Sequence, residues 1–174
     1  MTLFPDVYLN STYDIDFEKL YAMGYRGVIF DIDNTLVPHG ADADARAEAF
    51  FRELKRIGFT CCLLSNNQKE RVERFNKNIQ VLYLENAHKP GKKGYRKAME
   101  MMGTGLQQTL FVGDQIFTDV FGAKNTGIFS ILVKPIHPKE EIQIVLKRFL
   151  EKPVIALFLL TGRNRDAGRY QKAL

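Results

Sequence analysis

Two aspartates, Asp31 and Asp33, stand two residues apart in the segment Asp-Ile-Asp-Asn-Thr, directly after an apolar run. Two carboxylates this close repel each other unless a cation or a shared proton offsets their charge. Mg²⁺ commonly binds through one or two carboxylates together with water and the oxygens of a substrate phosphate. One carboxylate can then act as a nucleophile while the other moves protons, so this pair indicates phosphoryl chemistry.

Three further segments carry residue types that suit the same chemistry. Asp114 and Asp119, in Gly-Asp-Gln-Ile-Phe-Thr-Asp, supply the additional acid that such a metal site needs. Ser65 and Lys89 can hold the charge of a transferring phosphoryl group, which is where most of the catalysis of phosphoryl transfer lies. The candidate site therefore draws on four separate parts of the chain.

The elements that must position these residues are short apolar runs alternating with helical patterns. Predicted strands cover residues 27–30, 59–64, 81–84, 110–112 and 129–133, and predicted helices cover 16–23, 42–57, 68–78, 94–102, 120–124 and 140–150. This alternation is typical of parallel strands joined by right-handed crossovers with helices on both faces. We predict an α/β fold, a three-layer doubly wound (Rossmann-like) parallel sheet of about five strands.

The polar segments fall where this architecture binds its ligands. In doubly wound sheets the ligand lies outside the carboxyl ends of the strands. Asp31, Ser65, Lys89 and Asp114 each follow a predicted strand. We expect one domain, with a core at about 24–150 and a C-terminal extension at 151–174.

Simpler interpretations exist for several of these residues. Asp31 and Asp33 are also typical of a turn or a helix cap, and Asp119 is suited to cap a helix that starts at Val120. Thr35 is expected to brace its loop by hydrogen bonding, and Asn67 is interpreted as a local turn residue. All four polar segments occurring together, each after a predicted strand, favour the functional interpretation.

The order DIDNT, LLSNN, KP and GDQIFTD resembles the haloacid dehalogenase superfamily of phosphatases. The resemblance covers residues 31–119 by motif and extends to about 133 by strand pattern. It implies that Asp31 is the nucleophile and Asp33 the general acid and base. It also implies that Asp31, the backbone carbonyl of Asp33, and Asp114 bind Mg²⁺. By the same resemblance, Asp119 lies near the metal, and the phosphate is bound by Ser65, Lys89 and Asn66.

A finer resemblance is to the small YqeG-type branch of subfamily IIIA, which is related to mitochondrial phosphatidylglycerophosphate phosphatases. It rests on Phe4-Pro5-Asp6, the short helix before the first predicted strand, the GDQIFTD motif and the chain length of 174 residues. An aspartate at position 33 is what phosphatases of this superfamily carry. The resemblance thus favours a lipid-linked phosphate as substrate.

The intervals between the motifs bear on the substrate's size. The 34 positions from Asp31 to Ser65 and the 24 from Ser65 to Lys89 hold one helix and one strand each, which leaves no room for a cap domain. A cap usually excludes water and selects small substrates. We therefore expect a capless, open site that accepts a phosphate on a large molecule such as a lipid. A partner copy in a homo-oligomer would be another source of a lid.

The charge is unevenly distributed along the chain. In residues 1–133 the basic and acidic residues are equal in number. Residues 134–174 contain nine Lys and Arg but four Asp and Glu, which accounts for the whole net charge of +5. The apolar run 154–160 lies among these basic residues, so contact with an anionic membrane, packing on the sheet and a subunit contact all stay open, with burial in the protein favoured. Residues 1–10 show no secretory signal, and adjacent Cys61 and Cys62 read as reduced core residues, so we expect a cytoplasmic protein, peripheral at the inner membrane face if its substrate is a lipid.

The sequence also leaves other functions open. Within the phosphatase class, a nucleic-acid end or a phosphoprotein is an alternative substrate, although no basic and aromatic stripe for single strands is visible and nucleic acid is not expected. A different class is a receiver-type module or a non-catalytic phosphate-binding protein. In receivers the phosphate acceptor follows the third strand, whereas here it follows the first predicted strand. The prediction is a Mg²⁺-dependent phosphomonoester hydrolase that forms a phospho-aspartate.

Overall fold

Six parallel strands form the sheet that the alternating apolar runs predict. The computed structural model describes residues 3–137 and 142–172, with the backbone alone for 142–148. The strands are β1 (Val7–Leu9), β2 (Gly27–Phe30), β3 (Thr60–Leu64), β4 (Leu82–Leu84), β5 (Thr109–Gly113) and β6 (Phe129–Val133). They lie in the order β1-β6-β5-β2-β3-β4, and every neighbouring pair is parallel. The predicted doubly wound α/β fold is confirmed. The sheet has one strand more than expected, because β1 has only three residues, too few to show a strand period in the sequence.

Helices cover both faces of this sheet. They are α1 (Phe17–Ala22), α2 (Ala45–Ile57), α3 (Lys69–Asn76), α4 (Lys92–Met102), α5 (Phe121–Thr126) and α6 (Ile142–Leu160). Helix α2 shows why the bounds fall where they do. The Asp44 carboxylate accepts a hydrogen bond of 2.7 Å from the backbone N–H of Ala47, and Gly58 ends the helix at a φ of 110°, which a residue with a side chain rarely adopts.

The core has two large apolar clusters, one on each face of the sheet, and a third, small one formed by Ile116, Val120 and Leu132. Val28 and Phe30 of β2 face the cluster that α1, α2 and α3 cover, whereas Ile29 faces the cluster under α4 and α5. Cys61 and Cys62 likewise lie in opposite clusters as buried free thiols. Alternation of side chains along a strand gives this division, and the sheet is therefore the middle of three layers.

Strand order creates one topological switch point. From β2 the chain winds outward through β3 and β4, and then returns to the other side of β2 to form β5 and β6. Crossovers leave the sheet in opposite directions at the β2–β5 boundary, so a crevice opens there at the carboxyl ends. Residues 31–89, all of which the structure describes, hold β3, β4, α2, α3 and connecting loops with no inserted cap domain.

Helix α6 extends beyond its prediction at the C-terminal end. Residues 140 and 141 of the predicted helix lie outside the described residues, and the helix continues past 150, through Pro153, to Leu160. The apolar run 154–160 is therefore part of α6 and is only partly buried, with Phe158 enclosed but Leu157 and Leu160 exposed. None of the helices within the described residues combines the length and the apolar character needed to cross a membrane.

Candidate active site

Three buried carboxylates meet at the switch point between β2 and β5. Asp31 follows β2 directly, Asp114 follows β5, and Asp119 lies five residues later in a π-helical turn, Ile116–Val120. Each has a carboxylate oxygen within 4.8 Å of an oxygen of the others. The neighbouring loop braces this cluster, because Thr35 donates a hydrogen bond of 3.0 Å from Oγ1 to Oδ1 of Asp114.

Among the side chains that the structure describes, Lys89 is the one whose ammonium group contacts this cluster. Its Nζ lies 2.5 Å from Oδ1 of Asp31 and 2.8 Å from Oδ1 of Asp119. Burial works against the charge of Lys89, but the carboxylates of Asp119 and Asp31 outweigh it and raise the pKa of the lysine. Lys89 is therefore a buried cation held by two anions.

The charge of the cluster suits a divalent cation. When all three carboxylates are ionised, they and the ammonium of Lys89 carry a net charge of −2, which Mg²⁺ would neutralise. Burial, together with the negative charge of Asp119, raises the pKa of Asp31 to about 7 against the opposing effect of Lys89. Oxygen ligands in a compact acidic group are what Mg²⁺ prefers, so the residues present fit the metal that the sequence predicts.

The side chain of Asp33 is not part of this acidic cluster. Its Oδ1 accepts hydrogen bonds from the backbone N–H of Gly40 at 2.7 Å and from Nη2 of Arg71 at 2.9 Å. Its Oδ2 accepts one of 2.5 Å from the side-chain amide of Asn67, and His39 Nδ1 lies 3.9 Å from Oδ1. The Asp33 carboxylate is thus held by several donors, while metal binding by its backbone carbonyl stays a prediction.

The end of β3 carries the two remaining predicted residues. The hydroxyl of Ser65 is buried and accepts a hydrogen bond of 3.1 Å from the backbone N–H of Asn67, so its own proton remains available to donate. The side chain of Asn66 bonds both backbone groups of Lys89, accepting from its N–H at 2.7 Å and donating to its carbonyl at 3.2 Å. Asn66 therefore fixes the backbone of Lys89, while its contact with phosphate stays a prediction.

A small cleft opens over these groups. It has a volume of about 160 Å³ and is lined mainly by predicted residues: Asp31, Asp33, His39, Ser65, Asn66, Asn67, Lys89, Gln115 and Thr118. A larger groove of about 630 Å³, which includes residues 58–61 and 78–82, lies at the opposite end of the strands and has no acidic cluster. The carboxyl-end cleft is therefore the candidate site, although it is the smaller of the two.

Sequence reasoning missed several residues that support the site. Asn67 was expected to be a local turn residue, but its amide reaches Asp33, so that interpretation was incomplete. Arg71 was placed only within a charged helix, and nothing in the sequence separates it from Arg74 three residues later. Tyr95 donates from its buried hydroxyl to the backbone carbonyls of Thr118 and Asp119 in the π-helical turn. An aromatic residue on an amphipathic helix gives no sign of such a contact.

Comparison with known proteins identifies the family. The model of haloacid dehalogenase-like hydrolases matches residues 40–127, about half of the chain. The Bacillus subtilis protein described as "Probable phosphatase YqeG" is 30% identical over 159 residues, which are 91% of this chain and 92% of that protein. The chain therefore belongs to the haloacid dehalogenase-like hydrolases, as predicted, and it is a phosphatase of that family.

Two further similarities concern more distant proteins. Phosphatidylglycerophosphate phosphatase 1 of Arabidopsis thaliana is 25% identical over 169 residues, 91% of this chain but 49% of that protein, so the chain spans about half of its length. The cobalt-bound deoxy-D-mannose-octulosonate 8-phosphate phosphatase of Haemophilus influenzae superposes with a TM-score of 0.52 at 13% identity. That superposition covers 86% of this chain and 93% of the other, and it supports the fold alone.

Proposed function

We propose that this chain is a Mg²⁺-dependent phosphomonoester hydrolase that acts through a phospho-aspartate on Asp31. The observation that carries the proposal is the buried cluster at the β2–β5 switch point, with Asp31 in contact with Lys89 and close to Asp114 and Asp119. Buried like charges of this kind are costly to the fold, and they are typical of sites that bind metal and phosphate.

The proposed reaction has two steps, in which Asp31 is the nucleophile and Asp33 moves the protons. In the first, a carboxylate oxygen of Asp31 forms a bond to phosphorus, the bond to the leaving oxygen breaks, and Asp33 gives that oxygen a proton. In the second, Asp33 takes a proton from water, which attacks phosphorus and releases Asp31 and inorganic phosphate. Bound Mg²⁺, held by Asp31, Asp114 and the carbonyl of Asp33, would neutralise charge between the phosphate and the carboxylates.

Lys89 and Ser65 suit the binding of the transferring phosphoryl group. The ammonium of Lys89 is held in place by the carboxylate of Asp119, and the Ser65 hydroxyl proton is available at the floor of the cleft. Groups fixed before reaction stabilise developing charge without the cost of reorganising. Asp119 then serves to orient Lys89. Its Oδ1 accepts a hydrogen bond from Lys89, while its Oδ2 is fixed by the backbone N–H groups of Asp114 and Gln115.

The open cleft favours a phosphate on a large or lipid-linked molecule such as phosphatidylglycerophosphate. Residues 31–89 hold no cap, so nothing in that interval would exclude a bulky group. The similarity to phosphatidylglycerophosphate phosphatases of Chlamydomonas reinhardtii and Arabidopsis thaliana, at 25% identity, supports a lipid substrate. Such a substrate would place the protein at the inner face of a membrane, in contact with the cytoplasm.

The test is phosphate release from p-nitrophenyl phosphate with and without Mg²⁺, by the wild type and by Asp31→Asn. We expect turnover that needs Mg²⁺ and that falls by roughly a thousandfold or more in the variant, because the nucleophile is lost. Phosphatidylglycerophosphate, a phosphopeptide and a 3′-phosphorylated oligonucleotide then form the substrate panel. Turnover retained by Asp31→Asn would overturn the phospho-aspartate mechanism.

A further inference from the structure

The outward face of α6 is an unbroken apolar stripe. Its members are Phe149, Leu150, Pro153, Leu157 and Leu160, which recur at spacings of three and four residues and so share one side of the helix. Phe149 is 69% exposed and Leu160 83%. An ordinary surface helix turns polar residues outward. This apolar stripe is therefore suited to contact something other than water.

The opposite face of α6 is firmly docked on the chain. The buried carboxylate of Glu151 accepts hydrogen bonds from the backbone N–H groups of Ile116 at 2.7 Å and Phe117 at 3.3 Å. Phe158 is buried against Phe4, with ring centroids 5.7 Å apart. The stripe thus points away from the core, and its exposure does not come from a helix lying free of the sheet.

The docking of α6 also ties the stripe to the active site. Ile116 and Phe117 begin the π-helical turn that carries Asp119, and the same segment lines the cleft through Gln115 and Thr118. Glu151 therefore connects the helix that carries the stripe directly to the segment that lines one side of the cleft.

Basic side chains border the apolar stripe. Lys152 is exposed on the helix, and Arg163, Arg165 and Arg169 are exposed just beyond its end. Within the described residues from 149 to 172, the acidic residues are Asp166 and Glu151, and Glu151 is buried. Apolar residues flanked by lysine and arginine are typical of helices that lie in the interface of an anionic bilayer.

The charge distribution favours a membrane over a second copy of the chain. A two-fold contact between two stripes would bring the basic borders of both copies together, and like charges in contact oppose association. Anionic lipid headgroups would instead neutralise these groups while the acyl chains receive the apolar residues.

We propose that α6 lies in the plane of an anionic membrane surface, with the apolar stripe among the acyl chains and the basic residues at the headgroups. This inference rests on the proposed function, because it supplies the means by which an open phosphatase cleft meets a lipid-linked phosphate. It makes α6 a docking element and leaves the chemical step to the residues of the cleft.

The experiment is flotation of the protein with vesicles of phosphatidylcholine alone or mixed equally with phosphatidylglycerol. We expect the wild type to bind the anionic vesicles about tenfold more strongly than the neutral ones. The triple variant Phe149→Gln, Leu157→Gln, Leu160→Gln should lose about tenfold or more of this binding while its turnover of p-nitrophenyl phosphate is unchanged. The matched control is Met23→Gln with Leu106→Gln, which removes exposed apolar side chains elsewhere and should leave vesicle binding as it was.

A second variant tests the charged border independently of the stripe. Arg163→Gln with Arg165→Gln should weaken binding to anionic vesicles and reduce its sensitivity to salt. Equal binding by the wild type and the triple variant would overturn the proposal. So would a wild-type dimer in light scattering that the triple variant abolishes, because the stripe would then be a subunit contact. Vesicle binding without turnover of any phosphate would support docking and contradict the phosphatase mechanism, whereas turnover without vesicle binding would do the reverse.

Discussion

Arg71 donates a hydrogen bond of 2.9 Å from Nη2 to Oδ1 of Asp33, the proposed acid and base. The same Nη2 also donates to the backbone carbonyl of Ala41 at 2.7 Å, so Arg71 joins Asp33 to the loop over the cleft. The remaining guanidinium nitrogens, Nε and Nη1, are buried with no partner among the described residues. Arg71 is therefore a positioning residue that the motifs do not reveal.

Replacing Arg71 by methionine tests this role. We expect kcat on p-nitrophenyl phosphate to fall about 10-fold to 100-fold, because Asp33 loses a partner that fixes its orientation. Arg71→Lys should restore part of the loss. The matched control is Arg74→Met, since Arg74 holds the same loop through Asp42 and Gly40 but does not contact Asp33. An equal fall in both methionine variants would assign the effect to the loop and not to Asp33.

Lys89 offsets the buried acids, so its removal should make stability depend on metal. We expect Lys89→Met without Mg²⁺ to lose about 3–5 kcal/mol of unfolding free energy, because Asp31 and Asp119 are left without their cation. Added Mg²⁺ should recover much of this loss. Urea denaturation in EDTA and in Mg²⁺ measures both effects.

The control for Lys89 is a second lysine–aspartate pair of similar length. Lys124 Nζ lies 2.6 Å from Oδ1 of Asp6, but both side chains are about a quarter exposed and remote from the acidic cluster. Lys124→Met should cost no more than about 1 kcal/mol and show no dependence on Mg²⁺. If Lys89→Met behaved in the same way, the cluster would not be the costly anionic site described above.

The parallel sheet, and the four segments that meet at its edge, could be predicted because apolar strands alternating with helices can be recognised in the sequence, whereas the order of the strands in the sheet was not predicted. Apolar runs fix the strands, and in a doubly wound sheet their carboxyl ends must share one edge. This placed Asp31, Ser65, Lys89 and Asp114 at that edge from the sequence alone. The three-residue strand β1 was not predicted, because so short a run shows no strand period.

What the sequence could not show is which side chain turns toward which. Asp31 and Asp33 are both part of one motif, yet one joins the acidic cluster and the other faces Arg71. Side-chain direction depends on contacts between α3 and the loop after β2, which are far apart in sequence. The run 154–160 was expected to be buried because it has no polar residue, but as part of a helix it turns half of its side chains outward.

The effect of Mg²⁺ on stability should depend on pH through Asp31. Without metal, the pKa of Asp31 is raised to about 7 by burial, whereas the unfolded chain loses this proton near pH 4. The folded protein thus binds the extra proton between about pH 4 and 7, and this group's contribution to stability falls as pH rises through that window. Metal binding must displace the proton.

We therefore expect the rise in melting temperature produced by Mg²⁺ to be small at pH 5.5, to grow up to about pH 7 and then to level off. Comparing samples with Mg²⁺ and with EDTA at each pH cancels groups that do not touch the metal. Asp31→Asn should show no such growth across the window. A Mg²⁺ effect of constant size from pH 5.5 to 8.5 in the wild type would contradict the role of Asp31 as a ligand.

Gly113, at the end of β5, should tolerate no side chain because the acidic cluster packs against it. A Cβ at this position would lie 2.6 Å from Oδ2 of Asp119 and 2.6 Å from the ring of Phe111, and neither is free to move. Gly113→Ala should therefore lower the free energy of unfolding by about 1–3 kcal/mol and weaken Mg²⁺ binding by displacing Asp119. Gly105→Ala, before the same strand, meets only Gln108 Oε1 at 3.9 Å and serves as the control. Urea denaturation measures the stability of both variants, and a Mg²⁺ titration measures their metal affinity. Equal stability and equal affinity in the two variants would show that Asp119 does not pack against Gly113.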